Sequence, residues 1–361
     1  SWHGTHVAGT VAAVTNNGAG VAGVAYGAKV LPVRVLGRCG GYDSDIADGM
    51  VWASGGTVPG VPANAFPAKV LNLSLGGEGD CTMAYQDAIN SARSRGAVVV
   101  VAAGNDGSDA AFFSPASCPG VIPVAAVGRT GALAYYSNHG NPVMVAAPGG
   151  DMSFGEANGI LSTFNTGVHG PGADSYAYLQ GTSMAAPHVA GVVALMLSRN
   201  PALTPNQVLA RLRSNTKPFP EDCLGCGSGI VDGYWAASAA IATAVAEKEN
   251  NNTIGTAQIV SPANAAVSGA MLAVEGDVDF YRVTVAAGRT LRASMAPTSA
   301  SRDFDLYMLN GAGKVLMSSD RGAGQTDRVY YANTGGASVN VYVKVLYYGG
   351  GAGGYTLSMR Q

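Results

Sequence analysis

Residues 83–106 read MAYQDAINSARSRGAVVVVAAGND. The first fourteen carry a helical pattern, and 97–103 (AVVVVAA) are an unbroken apolar run rich in Val. A strand that is apolar at every position is buried on both faces, and runs of that kind alternating with helices indicate a parallel sheet. AKVLPVRVL (28–36) and AKVLNLSL (68–75) belong to the same class, with the helical DSDIADGMVWA (43–53) between them. VIPVAAV (121–127) and PVMVAAPG (142–149) add two more strands. A long apolar helix is expected over 183–199. TPNQVLARLRSN (204–215) starts another with a Thr cap and Pro in the first turn, and a last helix falls near 234–247. The fold class is α/β, a mostly parallel sheet flanked by helices, over residues 1–245.

Composition then changes. AEKENNNTIGTAQ (246–258) is polar, and 246–251 are expected to be a linker. After it come short alternating segments such as VDFYRVTV (278–285), LRASMA (291–296) and VNVYVKVLYY (339–348), separated by Gly- and Asp-rich turns. They predict a small all-β sandwich or jelly-roll over 252–361.

The chain has 361 residues, 51 of them Gly, roughly twice the ordinary share. Only 12% are charged, and 47% are hydrophobic, which excludes disorder. A formal net charge of −2 without Lys/Arg runs argues against nucleic acid as a partner. The longest apolar run, Val189–Leu197, is far short of the ~20 residues that a membrane span needs. Five cysteines, Cys39, Cys81, Cys118, Cys223 and Cys226, lack the paired spacing of a metal site. Two disulfides and one odd thiol, formed in an oxidising compartment, suit them better.

Four segments can carry chemistry together: HGTHVAGT (3–10), NLSLGG (72–77), AAGND (102–106) and GTSMAAPHVAG (181–191). Amide hydrolysis by a serine needs a nucleophile, a base and donors for the oxyanion. Ser183 at a helix start, His3, and the Asn105 amide beyond a strand could supply these in turn. Each alone has a plainer reading: a helix cap, a structural imidazole, a turn.

In this order the phrases resemble the subtilisin-like serine peptidases, the subtilases, over about residues 1–245. The resemblance implies His3 as general base, Asn105 as oxyanion donor and Ser183 as nucleophile, with His6 a packing residue beneath the site. It implies that Gly41 and Tyr42, with Ser74, Leu75 and Gly76, clasp the backbone of a protein or peptide substrate. Ala102, Ala103 and Gly104 would complete a pocket whose far end comes from FFSPAS (112–117), suited to an apolar side chain. AVTNNGAGVAGVA (13–25) resembles the family's calcium loop, implying structural calcium on the carbonyls of Val14, Ala19 and Val21 and the side chain of Asn17 or, one residue earlier, Asn16. Asp45 and Asp48 are either a second site or a capping-box-like helix start.

The expected disulfides are Cys39–Cys81, stapling the two cleft segments, and Cys223–Cys226, leaving Cys118 odd. In subtilases the triad Asp precedes the His on an earlier strand, whereas only Ser1 and Trp2 precede His3. The expectation is an N-terminally incomplete sequence, with an N-terminal propeptide inhibitor also outside it. NNTIGTAQ, EGDVDFYRV, DFDLYMLN and GGYTLSM resemble the bacterial pre-peptidase C-terminal domain, an appendage for secretion or adhesion. Its Tyr307, Tyr331, Tyr342, Tyr347 and Tyr348 could form a sticking surface, although half should face the core. The resulting expectation is a secreted, extracellular bacterial serine endopeptidase. The alternative is a degenerate or truncated peptidase domain that only binds, through its C-terminal module.

Overall fold

The computed structural model describes residues 2–220, 223–238, 243–261, 263, 265–272 and 276–361. The chain divides into two units, Ser1–Ser238 and Ala239–Gln361.

The first unit opens with helices α1 (His3–Ala12) and α2 (Asp43–Ala53), strands β1 (Val70–Leu73) and β2 (Gly77–Glu78), and helix α3 (Met83–Ser94). Strands β3 (Val98–Ala102), β4 (Phe113–Ser114), β5 (Ile122–Val127), β6 (Val145–Pro148), β7 (Ile160–Asn165) and β8 (Asp174–Leu179) follow. Helices α4 (Thr182–Arg199) and α5 (Pro205–Ser214), strands β9 (Thr216–Lys217) and β10 (Ile230–Val231), and helix α6 (Gly233–Ser238) complete it. Among the described residues the main sheet has the order β1-β3-β5-β6-β10-β9. Its neighbours run parallel from β1 to β10, and β9 closes the edge antiparallel.

The run 97–103 shows why the sheet forms. Val98 and Val100 enter the core beneath α4, with Ala185, Val189, Val193 and Met196. Val99 and Val101 enter the core on the other face, with Ile46 and Met50 of α2 and Ile89 of α3. Each fully buried Val is worth roughly 1.5–3 kcal/mol, so a run apolar at every position has no solvent face to offer. At α5, the Thr204 hydroxyl accepts from the Gln207 N–H and the Gln207 side chain accepts from the Thr204 N–H, with Pro205 in the first turn.

Three expectations need correction. Residues 28–36 are not a strand: they make no ladder, and Val33 and Val35 instead lie against the α2–α3 core. Apolar pattern alone does not make a strand where the backbone has no paired neighbour. The expected helix near 234–247 is described over Gly233–Ser238; 239–242 lie outside the described residues, and Thr243–Ala246 is a strand rather than helix. Helix α2 has no capping box, because its cap, Tyr42, makes no side-chain bond, and Asp43 and Asp45 simply sit in the first turn, where the helix dipole favours them.

The second unit contains strands β11 (Thr243–Ala246), β12 (Gln258–Ile259), β13 (Ala265–Ser268), β14 (Met271–Leu272), β15 (Val278–Val285) and β16 (Thr290–Pro297). It continues with β17 (Asp303–Leu309), β18 (Val315–Ser319), β19 (Asp327–Ala332), β20 (Val339–Gly349) and β21 (Gly353–Arg360). One sheet has the order β11-β13-β21-β16-β19, with β14 also on β21, and the other β12-β15-β20-β17-β18. Alternate residues of both enter one core that includes Tyr281, Leu291, Phe304, Val343 and Leu357. The expected linker 246–251 is part of this unit: Asn251 is buried, its carbonyl accepts from the Phe280 N–H, and Gln258 bonds across to Ala246 and Lys248. Of the five tyrosines, Tyr342 is buried, Tyr307, Tyr331 and Tyr347 are half-buried, and Tyr348 is 73% exposed.

Candidate active site

Ser183 is the second residue of α4 and half-buried. Its hydroxyl donates to the Ser74 carbonyl at 3.4 Å, and the Ser74 hydroxyl donates to the Ser183 carbonyl at 2.7 Å. Because Ser74 follows β1 directly, the start of α4 is tied to the C-terminal end of that edge strand, the end of a parallel sheet where sites collect.

Asn105 lies three residues beyond β3, exposed to solvent. Its Oδ1 accepts from the Thr182 N–H at 2.8 Å and the Thr182 hydroxyl at 3.0 Å. The carboxamide has one oxygen and one NH2 group, so fixing the oxygen this way leaves the NH2 as its outward face. A carbon built on Gly181 would lie 3.4 Å from Asn105 Oδ1, 3.8 Å from Nδ2 and 3.6 Å from the Ser183 nitrogen. The amide and the first turn of α4 therefore border one small space.

The turn carrying Asn105 is held by Asn138, which sequence reasoning missed. Fully buried, Asn138 donates to the Ala103 carbonyl and accepts from the N–H groups of Asp106 and Ser108. Gly104, at φ +113°, passes so close that an added Cβ would meet Asn138 Nδ2 at 2.1 Å. Only the YSN phrase after a short loop signalled this residue, and no periodicity singles it out.

His3 starts α1, which packs against α4 and β7. The indole of Trp2, just before it, donates to the Gly167 carbonyl, and hydroxyls of Ser162 and Thr163 donate to the carbonyls of His6 and Thr5. Gly9 permits this approach, since a Cβ there would lie 2.1 Å from Thr163 Oγ1. Burial, then the nearby His6, lowers the His3 pKa from its ordinary value, which favours the neutral ring. His6 is fully buried, with Nε2 at 3.0 Å from the carbonyls of both Ile160 and Ala177. Two acceptors on one nitrogen require a proton there, and His6 pins the β7–β8 hairpin to α1. Among the described residues no carboxylate is hydrogen-bonded to His3, and His3 and Ser183 share no hydrogen bond.

The remaining cleft residues divide. Leu75 is half-buried and Gly76 exposed; Ser114 O would lie 3.0 Å from a Cβ on Gly76, so Ser114 of the 112–117 segment lies against Gly76. The β2–β4 pairing fixes that contact. Ala102 is buried, and Ala103 turns its side chain into a core with Ala110 and Ala125, leaving only backbone to the cleft. Gly41 and Tyr42 line a separate open depression of ≈ 560 Å³ with Arg34, Cys39 and Asp45; neither Ser74–Gly76 nor Ala102–Gly104 reaches it.

The disulfides are Cys81–Cys118 and Cys223–Cys226, with Cys39 free and exposed, which corrects the expected Cys39–Cys81 pair. Cys81 follows β2 and Cys118 follows β4 in the chain, and their Cα atoms are 5.1 Å apart, well within bridging range.

In the 13–25 loop the carbonyls of Val14, Ala19 and Val21 accept no backbone hydrogen bond among the described residues. Asn17 Oδ1 accepts from the Ala19 N–H at 3.1 Å. Neutral oxygens of this kind suit a hard cation such as calcium. Among the described residues no cluster of three His, Cys, Asp or Glu is placed to hold a metal.

Residues 1–258 match the sequence profile described as the subtilase family. The chain is 60% identical over 243 residues to an extracellular protease of Xanthomonas campestris pv. campestris, and 51% identical over 246 residues to an extracellular basic protease of Dichelobacter nodosus. Each alignment covers 67% of this chain and 40% of the relative, so the chain spans about two fifths of the length of these proteins. A solved structure of proteases from Pseudoalteromonas arctica is 61% identical, with a TM-score of 0.65, over 66% of this chain and 70% of that one.

Proposed function

The chain belongs to the subtilase family, and from that premise we propose that it is a secreted serine endopeptidase hydrolysing peptide bonds through an acyl-enzyme. The observation that carries this reading is the fixed Asn105 carboxamide beside the first turn of α4. Its NH2 and the Ser183 N–H are donors to an oxygen that becomes negative, and the helix dipole favours charge at the same place.

Ser183 Oγ attacks the scissile carbonyl carbon and His3 takes its proton. The carbonyl electron pair moves to the oxygen held by the two donors. Collapse breaks the C–N bond as His3 protonates the leaving amine, and water repeats the sequence to release the acid. The lowered His3 pKa favours the neutral ring, the form that can take up a proton as base. Ser74–Gly76 and Gly41–Tyr42 would pair with the substrate backbone, which gives affinity with little sequence choice. Ser74–Gly76, Ala102–Gly104 and 112–117 would receive an apolar side chain before the cleaved bond.

The carbonyls of Val14, Ala19 and Val21 with the Asn17 side chain would hold a structural calcium, which when bound cross-links the 13–25 loop. The second unit is read as a pre-peptidase C-terminal domain serving secretion or adhesion. Protein substrates and a propeptide inhibitor are the partners that follow.

The test is chemical. A fluorophosphonate should label Ser183 alone, and Ser183→Ala should abolish both labelling and peptide hydrolysis. Labelling at another serine would refute the assignment.

A further inference from the structure

A helix carbonyl normally accepts the N–H four residues on. For Ser183 that residue is Pro187, inside α4, which has no N–H to give. The carbonyl of the nucleophile candidate thus lacks its regular partner through the sequence of its own helix. The Ser74 hydroxyl fills that place, donating at 2.7 Å across 109 residues of chain. Ser74 is itself oriented: Asn72 Nδ2 donates to its Oγ at 3.0 Å, so the hydroxyl proton is turned to Ser183. Asn72 is in β1, the edge strand of the main sheet, and is half-buried.

We propose that Ser74 is a positioning residue for the nucleophile, in addition to any contact with substrate, its hydroxyl replacing the hydrogen bond that Pro187 withholds. Asn72, Ser74 and the Ser183 carbonyl form a line from the sheet to the first turn of α4, and that line sets where Ser183 Oγ stands. Of the two hydrogen bonds between Ser74 and Ser183, the one to the Ser183 carbonyl is the shorter, and a reacting atom about 1 Å out of place can cost up to ~10²-fold in rate. The proposal rests on Ser183 being the nucleophile.

The experiment compares the 361-residue chain with Ser74→Ala, Ser74→Thr and the double variant Ser74→Ala/Pro187→Ala. One readout is the rate at which a fluorophosphonate labels Ser183. The other is the carbonyl ¹³C resonance of Ser183, reached by ¹³C-serine and ¹⁵N-methionine labelling, which reports three Ser–Met pairs: 183–184, 294–295 and 358–359. Ser74→Ala should shift that resonance upfield and slow labelling by ~10-fold. Ser74→Thr, keeping the hydroxyl, should restore both. Pro187→Ala added to Ser74→Ala should also restore both, because residue 187 then supplies the missing N–H. A merely structural role for Ser74 does not predict this rescue by a distant backbone donor. An unchanged resonance in Ser74→Ala, or unchanged labelling despite a shifted resonance, would overturn the positioning role, as would failure of both rescues. Absence of Ser183 labelling in the parent chain would instead overturn the nucleophile reading, and the proposal with it.

Discussion

Asn105 gives both hydrogen-bond contacts of its oxygen to one residue, Thr182, through that residue's N–H and its hydroxyl. An Asn at a strand end is free to flip; this one is held with the NH2 group outward. Orientation by the residue next to Ser183 also ensures that the amide moves with α4.

Replacing Asn105 by Leu keeps the volume and removes the donor. Loss of one oxyanion donor costs about 10²–10³ in kcat, a scale set on subtilisin itself and carried here by family membership. The expected result is a kcat fall of that order on a chromogenic peptide with KM little changed. A change in KM alone would contradict the role.

Asn138→Ala should be more damaging to the fold than its size suggests. It removes the acceptor of two N–H groups and the donor to Ala103, all made by a fully buried side chain. Stranded buried donors cost roughly 1–3 kcal/mol each, so urea unfolding of the first unit should show a loss of about 2–4 kcal/mol. A loss below ~0.5 kcal/mol, the scale of a bland surface change, would mean that the turn does not depend on it.

The second unit should weaken as pH rises. Burial, then the Glu247 and Asp277 carboxylates, raise the Asp279 pKa far above the usual range, only partly offset by the Tyr355 hydroxyl. Burial likewise pushes Asp327 up to about 6. Above about pH 4 the unfolded chain gives up these protons while the folded unit retains them. Stability from these groups is therefore largest in mild acid and falls toward pH 8. Calorimetry of the whole chain at pH 5 and pH 8 should show this, and Asp279→Asn should flatten the dependence. An equal fall in parent and variant would remove Asp279 as its cause.

Calcium at the 13–25 loop predicts a chelator effect. A site occupied at a hundredfold excess over Kd adds ~2.7 kcal/mol to the folded state, so EDTA should lower the first unit's melting midpoint and calcium should restore it. An unchanged midpoint would eliminate the site.

Much of the first unit was legible because burial on both faces leaves a strong mark: Val98–Ala102 and Ile122–Val127 could be nothing but interior strands. Thr204 and Pro205 announced a helix start by local chemistry alone. The β7–β8 hairpin was illegible, since ILSTFN and DSYAYL mix polar and apolar residues, and its partner is α1, over 150 residues away. Residues 28–36 misled for the opposite reason, carrying a strand's composition without a ladder. At the site, the phrases around His3, Asn105 and Ser183 pointed to the chemistry, whereas Asn138 and the Ser74 hydroxyl act through contacts that no spacing encodes. The cysteine pairing failed similarly: nothing local distinguishes Cys39 from Cys118 as the mate of Cys81.

The Cys81–Cys118 bridge encloses α3, β3 and Asn105 in one covalent loop. A single cut inside that loop, for instance beside the exposed Phe112, releases no fragment. The nicked chain stays one covalent molecule, heavier only by the water that hydrolysis adds, and keeps both strands of the β2–β4 ribbon, so the break becomes visible on a denaturing gel only after reduction.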